Sequence, residues 1–365
     1  MIYLITSFLI SFLACLCLIK WHPKKFGDIR EGDQKFHTWE SVRTGGLALY
    51  TALVVSLIAF YTGNKDFTKE FFLLLLVSLP VFMGGLLEDI TKKVNPKQRL
   101  IFAFSSGLLA GLLLNAHLNR VDVLIFDWFL SNSFLISLLF TSFALAGVSN
   151  AINIIDGFNG LASGVGIIVF LSYAYVSFIL NDQFLLYLSL VYTSALVGFF
   201  LWNFPFGLIF LGDGGAYLTG FLAGLVGVLM VNRHPEVPAW FPLTLMFYPV
   251  WETLFSMFRR KFLHGYDSTV ADTKHFHSLI YKRLIKATFR SSVPPQLKNS
   301  LTSPYLWFMQ ILCTIPAILF WNNTPVLVLT CISFAIFYTW LYFRIVRFKT
   351  PKIMMVGKVI GRCLE

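Results

Sequence analysis

Residues 149–162 read SNAINIIDGFNGLA, a polar island in a sequence that otherwise suits a lipid bilayer. Asn150, Asn153, Asp156 and Asn159 recur at every third position. In helical geometry that spacing puts them on one face, while Gly157 and Gly160 bend or stop the helix. Asp156 is the only charged residue between Trp128 and Asn181. A carboxylate so placed is costly unless it meets a cation or water, which marks it as a functional-site candidate. The plain alternative is a reverse turn with a helix cap, because Asn, Asp and Gly are ordinary turn residues.

Outward from this island the chain is apolar on both sides. Of its 365 residues 57% are hydrophobic and 13% charged, which excludes an ordinary soluble domain. Runs of about 20 apolar residues, enough to cross the hydrocarbon, fall near 1–19, 45–63, 70–87, 100–118, 133–149, 160–180, 184–202, 208–231, 238–258, 304–321 and 325–343. The expected fold is therefore all-α: a polytopic membrane protein of about eleven helices, one transmembrane domain over 1–365. The first run has no basic residue before it, and Lys20, Lys24 and Lys25 follow it. That predicts a retained anchor with its N-terminus outside and the C-terminus cytoplasmic.

Alternating the loops from there sorts the basic residues. Of the 29 Lys and Arg, 25 fall in loops 20–44, 88–99 and 259–303 and the tail 344–365. Such a bias fixes the cytoplasmic side, which also includes the short loops 149–160 and 203–214. The net charge of +11 then follows from topology and anionic lipid, with no nucleic acid needed. Cys15, Cys17, Cys313 and Cys331 lie inside spans and Cys363 in the tail, so no disulfide framework or zinc site is expected.

Further polar groups gather on the same side. Arg43-Thr44-Gly45-Gly46 opens the second run, where a glycine pair serves either an anion or close helix packing. Glu88 and Asp89 end the third run, followed by Lys92, Lys93, Lys97 and Arg99. Asp213 stands among glycines and is the only charge between Gln183 and Asn232. Glu252 lies two turns inside Arg259-Arg260-Lys261, suited to a snorkelling contact or to catalysis. In the large loop, His275 and His277 sit beside Lys274, Lys282 and Arg283, a set able to donate hydrogen bonds to a diphosphate. Mg²⁺ binds through one or two carboxylates plus phosphate oxygens, so Glu88, Asp89, Asp156 and Asp213 suit a nucleotide diphosphate meeting a lipid. No GxxxxGK[ST] loop is present, which argues against P-loop ATP hydrolysis.

Taken together these residues resemble the polyprenyl-phosphate N-acetylhexosamine-1-phosphate transferases of glycosyltransferase family 4. Arg43 to Gly46, Gly84 to Arg99, Asn150 to Leu161, Phe210 to Gly215 and His275-x-His277 occur in the family's order. The chain is more similar to the N-acetylglucosamine-phosphate branch than to the muramoyl-pentapeptide branch, whose loop carries three consecutive histidines. It departs from the pattern at Glu88, Asn159 and Glu252, where aspartates are usual, and at Ser278, where another histidine is common.

The resemblance implies transfer of an N-acetylhexosamine 1-phosphate, GlcNAc-1-phosphate first, from a UDP-sugar to undecaprenyl phosphate, releasing UMP and starting a surface polysaccharide such as O-antigen. It implies Mg²⁺, with Mn²⁺ as a possible substitute, held by Asp213 and Asp156. Asp89, Asp156 and Glu88 are then the catalytic candidates. Arg43, Lys92, Lys97, Arg99, Asn150, Asn153, Asn159, His275 and His277 are the substrate-binding ones. The implied setting is the bacterial inner membrane with the site on the cytoplasmic face; a homodimer is a possible assembly. A muramoyl-pentapeptide-type transferase is the nearer alternative and a transporter or flippase of phosphorylated lipid the farther one. Against the latter stand the absence of an evident internal repeat and the placing of polar residues at one face.

Overall fold

A computed structural model describes residues 2–21, 42–63, 67–263, 275–289 and 293–347. Most of the first basic loop, residues 264–274 of the large one and the tail after 347, which carry many of the basic residues counted above, lie outside the described residues. Among the described residues there is no strand, only an isolated parallel bridge between Val42 and Ile209.

The chain runs through α1 (Ile2–Lys20), α2 (Gly45–Gly63), α3 (Thr68–Thr91), α4 (Pro96–Leu113), α5 (Leu124–Asn132), α6 (Phe134–Ile155), α7 (Leu161–Ile179), α8 (Gln183–Asn203) and α9 (Gly212–Arg233). It continues with α10 (Trp240–Leu245), α11 (Phe247–Phe258) and a π-helical turn, Arg259–Leu263. Then come α12 (Phe276–Leu279), a second π-helical turn Ile280–Ile285, α13 (Lys286–Thr288), α14 (Pro295–Ser300), α15 (Ser303–Leu319) and α16 (Thr324–Val346).

Nine helices among the described residues are long and apolar enough to cross a membrane. The runs expected at 100–118 and 238–258 take other forms. α4 starts earlier, at a full capping box in which Asn95 accepts from the Gln98 N–H and Gln98 accepts from the Asn95 N–H, and so takes Lys97 and Arg99 into its first turn. The stretch near 238–258 is divided at Met246 into α10 and α11. Pro249 causes the division: lacking an N–H, it leaves the Leu245 carbonyl without its helical donor. Gln310 of α15 supplies the replacement, its Nε2 donating to Leu245 O at 2.7 Å. In a bilayer such a carbonyl must find a protein partner.

α9 is the hub. Its apolar window is 94% buried, against 17% for α1, and it packs on α2, α3, α6 and α7. Small residues permit this where the hydrophobic effect between helices is weak. A Cβ at Gly46 would collide with the backbone of Gly215, and one at Gly220 would come within 2.7 Å of Ser149 Cα. The start of α9 therefore sits directly against the start of α2 and the end of α6.

Candidate active site

α6 stops at Ile155, and Asp156 leaves the helix with φ −74° and ψ 53°. The turn that follows is held from several directions. Gly160, at φ +75°, donates its N–H to Asn203 Oδ1 at 2.6 Å, and Trp307 Nε1 donates to Gly160 O at 3.0 Å. Asn159 is buried within the same stitching. Its N–H donates to Asn299 Oδ1 (2.8 Å), its Nδ2 to Pro205 O (3.2 Å) and Ser300 Oγ (3.1 Å), and its carbonyl accepts from Ser303 Oγ (2.6 Å). That amide thus faces α14 and α15, while Asp156 keeps part of its surface open. Burial pushes the Asp156 carboxyl up to about 7; the Arg43 guanidinium pulls it back and the Asp213 charge adds to the rise.

The N-terminus of α9 presents Asp213. Its first amide groups have no partner within the helix, and Asp89 provides one from the last turn of α3. Asp89 Oδ1 accepts from Asp213 N and Oδ2 from Gly214 N, both at 2.9 Å. Asp89 is 2% exposed, so its carboxylate acts as a remote helix cap with the favourable sign for the helix dipole. Gly212 makes the approach at φ +72°, where a Cβ would collide with the Arg43 carbonyl. The Asp213 side chain then forms an ion pair with Arg99 of α4. The Arg99 guanidinium lies 5.8 Å from the ring centre of Tyr217, and the Tyr217 hydroxyl donates to Asn150 Oδ1 at 2.9 Å. One continuous set of contacts links Asp89, Asp213, Arg99, Tyr217 and Asn150.

The glycines at the start of α2 serve packing. Gly45 N donates to Phe210 O (3.0 Å) and Gly46 N to Leu211 O (2.9 Å), while Phe210 N donates to Val42 O (2.7 Å). Those N–H groups are therefore engaged by protein, and Arg43 is set beside Gly212 by the same strap. Glu88 Oε2 accepts from Val94 N at 2.8 Å and so closes the α3–α4 turn. Lys92, at φ +57° just after α3, and Lys97 in the first turn of α4 are exposed. Asn153 is partly exposed one turn before Asp156, and its carbonyl accepts from Asp156 N at 3.3 Å.

The two histidines reach the same place from far along the chain. His275 precedes α12 in extended conformation and His277 lies within it. Their rings stack with centroids 5.2 Å apart at 10°. The His277 ring meets Phe158 edge-on at 5.6 Å, and a Cβ on Gly157 would sit 3.2 Å from its Nε2. Tyr281 packs on the Phe158 ring at 5.4 Å. α12 thus docks on the turn that carries Asp156.

Among the described residues no three His, Cys, Asp or Glu side chains form a metal cluster. Mg²⁺ asks for less, taking one or two carboxylates and completing its octahedron with water and substrate oxygens. Asp156 and Asp213 fit that requirement. The Asp213 charge raises the cost of ionising Asp156, and Asp213 already holds a cationic group, Arg99, against its oxygen. This donor set is hard oxygen throughout, as Mg²⁺ or Mn²⁺ prefers.

Residues expected at the site that the structure brings together are Arg43, Asp89, Arg99, Asn150, Asp156, Asp213 and His277, with His275 stacked on the last. Tyr217 was missed by sequence reasoning. Its signal was available, since it stands one helical turn after Asp213 and so shares its face.

These features define a polytopic helical membrane protein with paired acids, arginines and histidines assembled where several helix ends meet. Residues 71–231 match the family model described as Glycosyl transferase family 4, a stretch that includes Asp89, Arg99, Asp156 and Asp213. Among known proteins it is 30% identical over 224 residues to a phospho-N-acetylmuramoyl-pentapeptide-transferase of Lactobacillus johnsonii, covering 59% of this chain and 65% of that protein. It is 26% identical over 289 residues to a probable undecaprenyl-phosphate N-acetylglucosaminyl 1-phosphate transferase of Bacillus subtilis, covering 76% and 77%. A Streptococcus gordonii phospho-N-acetylmuramoyl-pentapeptide-transferase is 29% identical over 243 residues, covering 64% and 73%. The chain thus spans about 65% of the length of the Lactobacillus relative.

Proposed function

We propose that this protein transfers an N-acetylhexosamine 1-phosphate, GlcNAc-1-phosphate first, from its UDP-sugar to a polyprenyl phosphate in the cytoplasmic membrane. The observation that carries the reading is the meeting of Asp156, Asp213, Arg99, Arg43 and His277 at one end of the bundle. Two carboxylates and several cationic groups there suit two phosphorylated substrates. The basic loops on the same side favour a cytoplasmic site by the positive-inside rule.

In this reading an oxygen of the carrier phosphate attacks the sugar-bearing β-phosphorus. The bond from that phosphorus to the bridging oxygen breaks, and UMP leaves with the electron pair. The carrier monoester has its second pKa near about 6, so it arrives largely dianionic and asks little of a base. Asp213 and Asp156 would hold Mg²⁺, which supplies charge neutralisation for the diphosphate when bound. Arg99 and Arg43 bring guanidinium groups to the phosphate oxygens, and His277 adds an imidazole beside Asp156. Asp89 holds the α9 terminus, and through it Asp213, in register.

The test is transfer of radiolabel from UDP-N-acetylglucosamine to undecaprenyl phosphate by purified full-length protein. Label in the lipid fraction with UMP released, and lost on chelation, is expected. Transfer only from UDP-N-acetylmuramoyl-pentapeptide would replace the donor, a second reading favoured by the Lactobacillus relative. No transfer from any UDP-sugar by folded protein would overturn the transferase reading.

A further inference from the structure

Glu252 has no assigned part in the reading above, although it is among the most enclosed charges in the molecule. It stands on α11, at 1% exposure, in a span where an ionised carboxylate needs full compensation. That compensation comes from two directions. Oε2 accepts from the Tyr338 hydroxyl of α16 at 2.5 Å. Oε1 accepts from the Phe276 N–H at 2.9 Å, and so takes up one of the free amides at the start of α12. The same Oε1 lies 3.3 Å from Nδ1 of His275 and 3.9 Å from Nδ1 of His277.

An ionised carboxylate only accepts, and an imidazole nitrogen facing it is favoured with a proton on it. Both rings turn Nδ1 toward the same oxygen, His275 the nearer of the two, and the rings lie nearly parallel. In His277 the opposite nitrogen, Nε2, then points to Gly157 beside Asp156. Which imidazole nitrogen carries the proton is set by what the other one meets.

We infer that Glu252 is a positioning residue: it anchors the start of α12 and holds His275 and His277 as a stacked pair protonated at Nδ1, with Nε2 of His277 directed at the Asp156 turn. The pattern is that of an acid orienting a histidine for work done by its far nitrogen. Tyr338 completes the device from α16 by fixing the second carboxylate oxygen. The Arg259 guanidinium, from the basic cluster two turns on, meets the Tyr342 hydroxyl and lies 5.4 Å from the centre of that ring.

The kinetic consequence rests on the proposed transferase activity; the protonation pattern does not. The experiment is therefore double. In full-length protein labelled with ¹⁵N-histidine and reconstituted in nanodiscs, wild type shows two histidines protonated at Nδ1, assigned by their loss in His275→Gln and His277→Gln. Glu252→Gln shifts both resonances toward the mixed pattern of free imidazole, and Glu252→Asp retains the Nδ1 pattern for at least one. In the transfer assay, Glu252→Gln lowers kcat/KM by about 10- to 100-fold, the scale at which outer partners of a working histidine act. In the His275→Gln/His277→Gln background the same change lowers it no further, since the effect passes through the imidazoles. Unchanged histidine resonances in folded Glu252→Gln protein, or a full additional loss in the double-histidine background, would overturn the inference. If the wild type transfers nothing, the spectra still decide it, and only the transferase reading falls.

Discussion

The two ends of the helix bundle use the same residue types to opposite effect. At the end away from the candidate site, Asp182 caps α8 through Leu185 N (3.0 Å) and accepts from Arg233 Nε and His234 Nε2, each at 3.0 Å. Arg120 donates to the carbonyls of Pro235 (2.7 Å) and Val237 (2.9 Å), while Asp122 accepts from Ala239 N at 2.7 Å. Those charges tie loops together and are closed on themselves. At the other end Asp89 and Glu252 have both carboxylate oxygens taken up by protein donors, whereas Asp156 is left with part of its surface open. The difference teaches that a charge in a membrane bundle becomes a functional candidate through incomplete compensation rather than through burial alone.

The contrast breaks most decisively on Asp213 and Asp156. Asp213→Asn and Asp156→Asn each lower transfer by about 10³-fold, the scale of losing a principal electrostatic group, with the protein still monodisperse in size-exclusion chromatography. Retention of a tenth of wild-type turnover in either variant would remove that residue from the site. Next comes Arg99→Lys, which keeps the charge and gives up the planar fork; a loss of about 10- to 100-fold in kcat/KM is expected. Equal activity would mean that a point charge suffices at Asp213.

A pH titration sharpens the comparison further. Without divalent cation, Asp156 is protonated below about 7 and ionised above it, so ¹³C-carboxyl spectra place its midpoint there and nowhere near 3.8. The sign for stability follows. Between 3.8 and about 7 the folded protein binds a proton that the unfolded chain releases, so this group's contribution falls as pH rises and is flat above that window. If ionised Asp156 is the working form, kcat/KM climbs about tenfold per unit on the acid side and levels above the midpoint. The smallest kinetic effect belongs to the closed end. Asp182→Asn leaves kcat/KM unchanged while costing about 1–2 kcal/mol of stability through the lost charge-assisted bonds to Arg233 and His234, read as a lower unfolding midpoint in detergent. A kinetic defect there would show that the two ends are coupled.

Much of this arrangement is legible in the sequence because it depends on composition and isolation. Most spans follow from hydropathy, and Asp156 and Asp213 stand out as lone charges among apolar residues and glycines. The kink at α10–α11 is legible in Pro249, whereas its compensation by Gln310 depends on packing across the bundle. Asn159 shares the every-third spacing of Asn150 and Asn153, yet its partners, Asn299, Ser300 and Ser303, come from distant sequence and turn its amide to α14 and α15. Asp89 is likewise visible as an acid at a helix end, but its hold on the α9 amides is set by tertiary approach. Periodicity tells which residues share a face; it says nothing of what the face meets.

The strap between residues 42–46 and 209–211 bears on how the protein is made. Its hydrogen bonds join backbone to backbone, with Gly45 and Gly46 donating to carbonyls that precede α9. A nascent chain that has inserted only α1 to α8 carries those amide donors with nothing to receive them. Asp89 likewise waits at the end of α3 for the amides of Asp213 and Gly214. Synthesis must pass α9 before Arg43, Asp156 and Asp213 have a common floor, and reach α12 before His277 closes over it. The partly made protein is thus a set of membrane spans in which the candidate site has yet to come together.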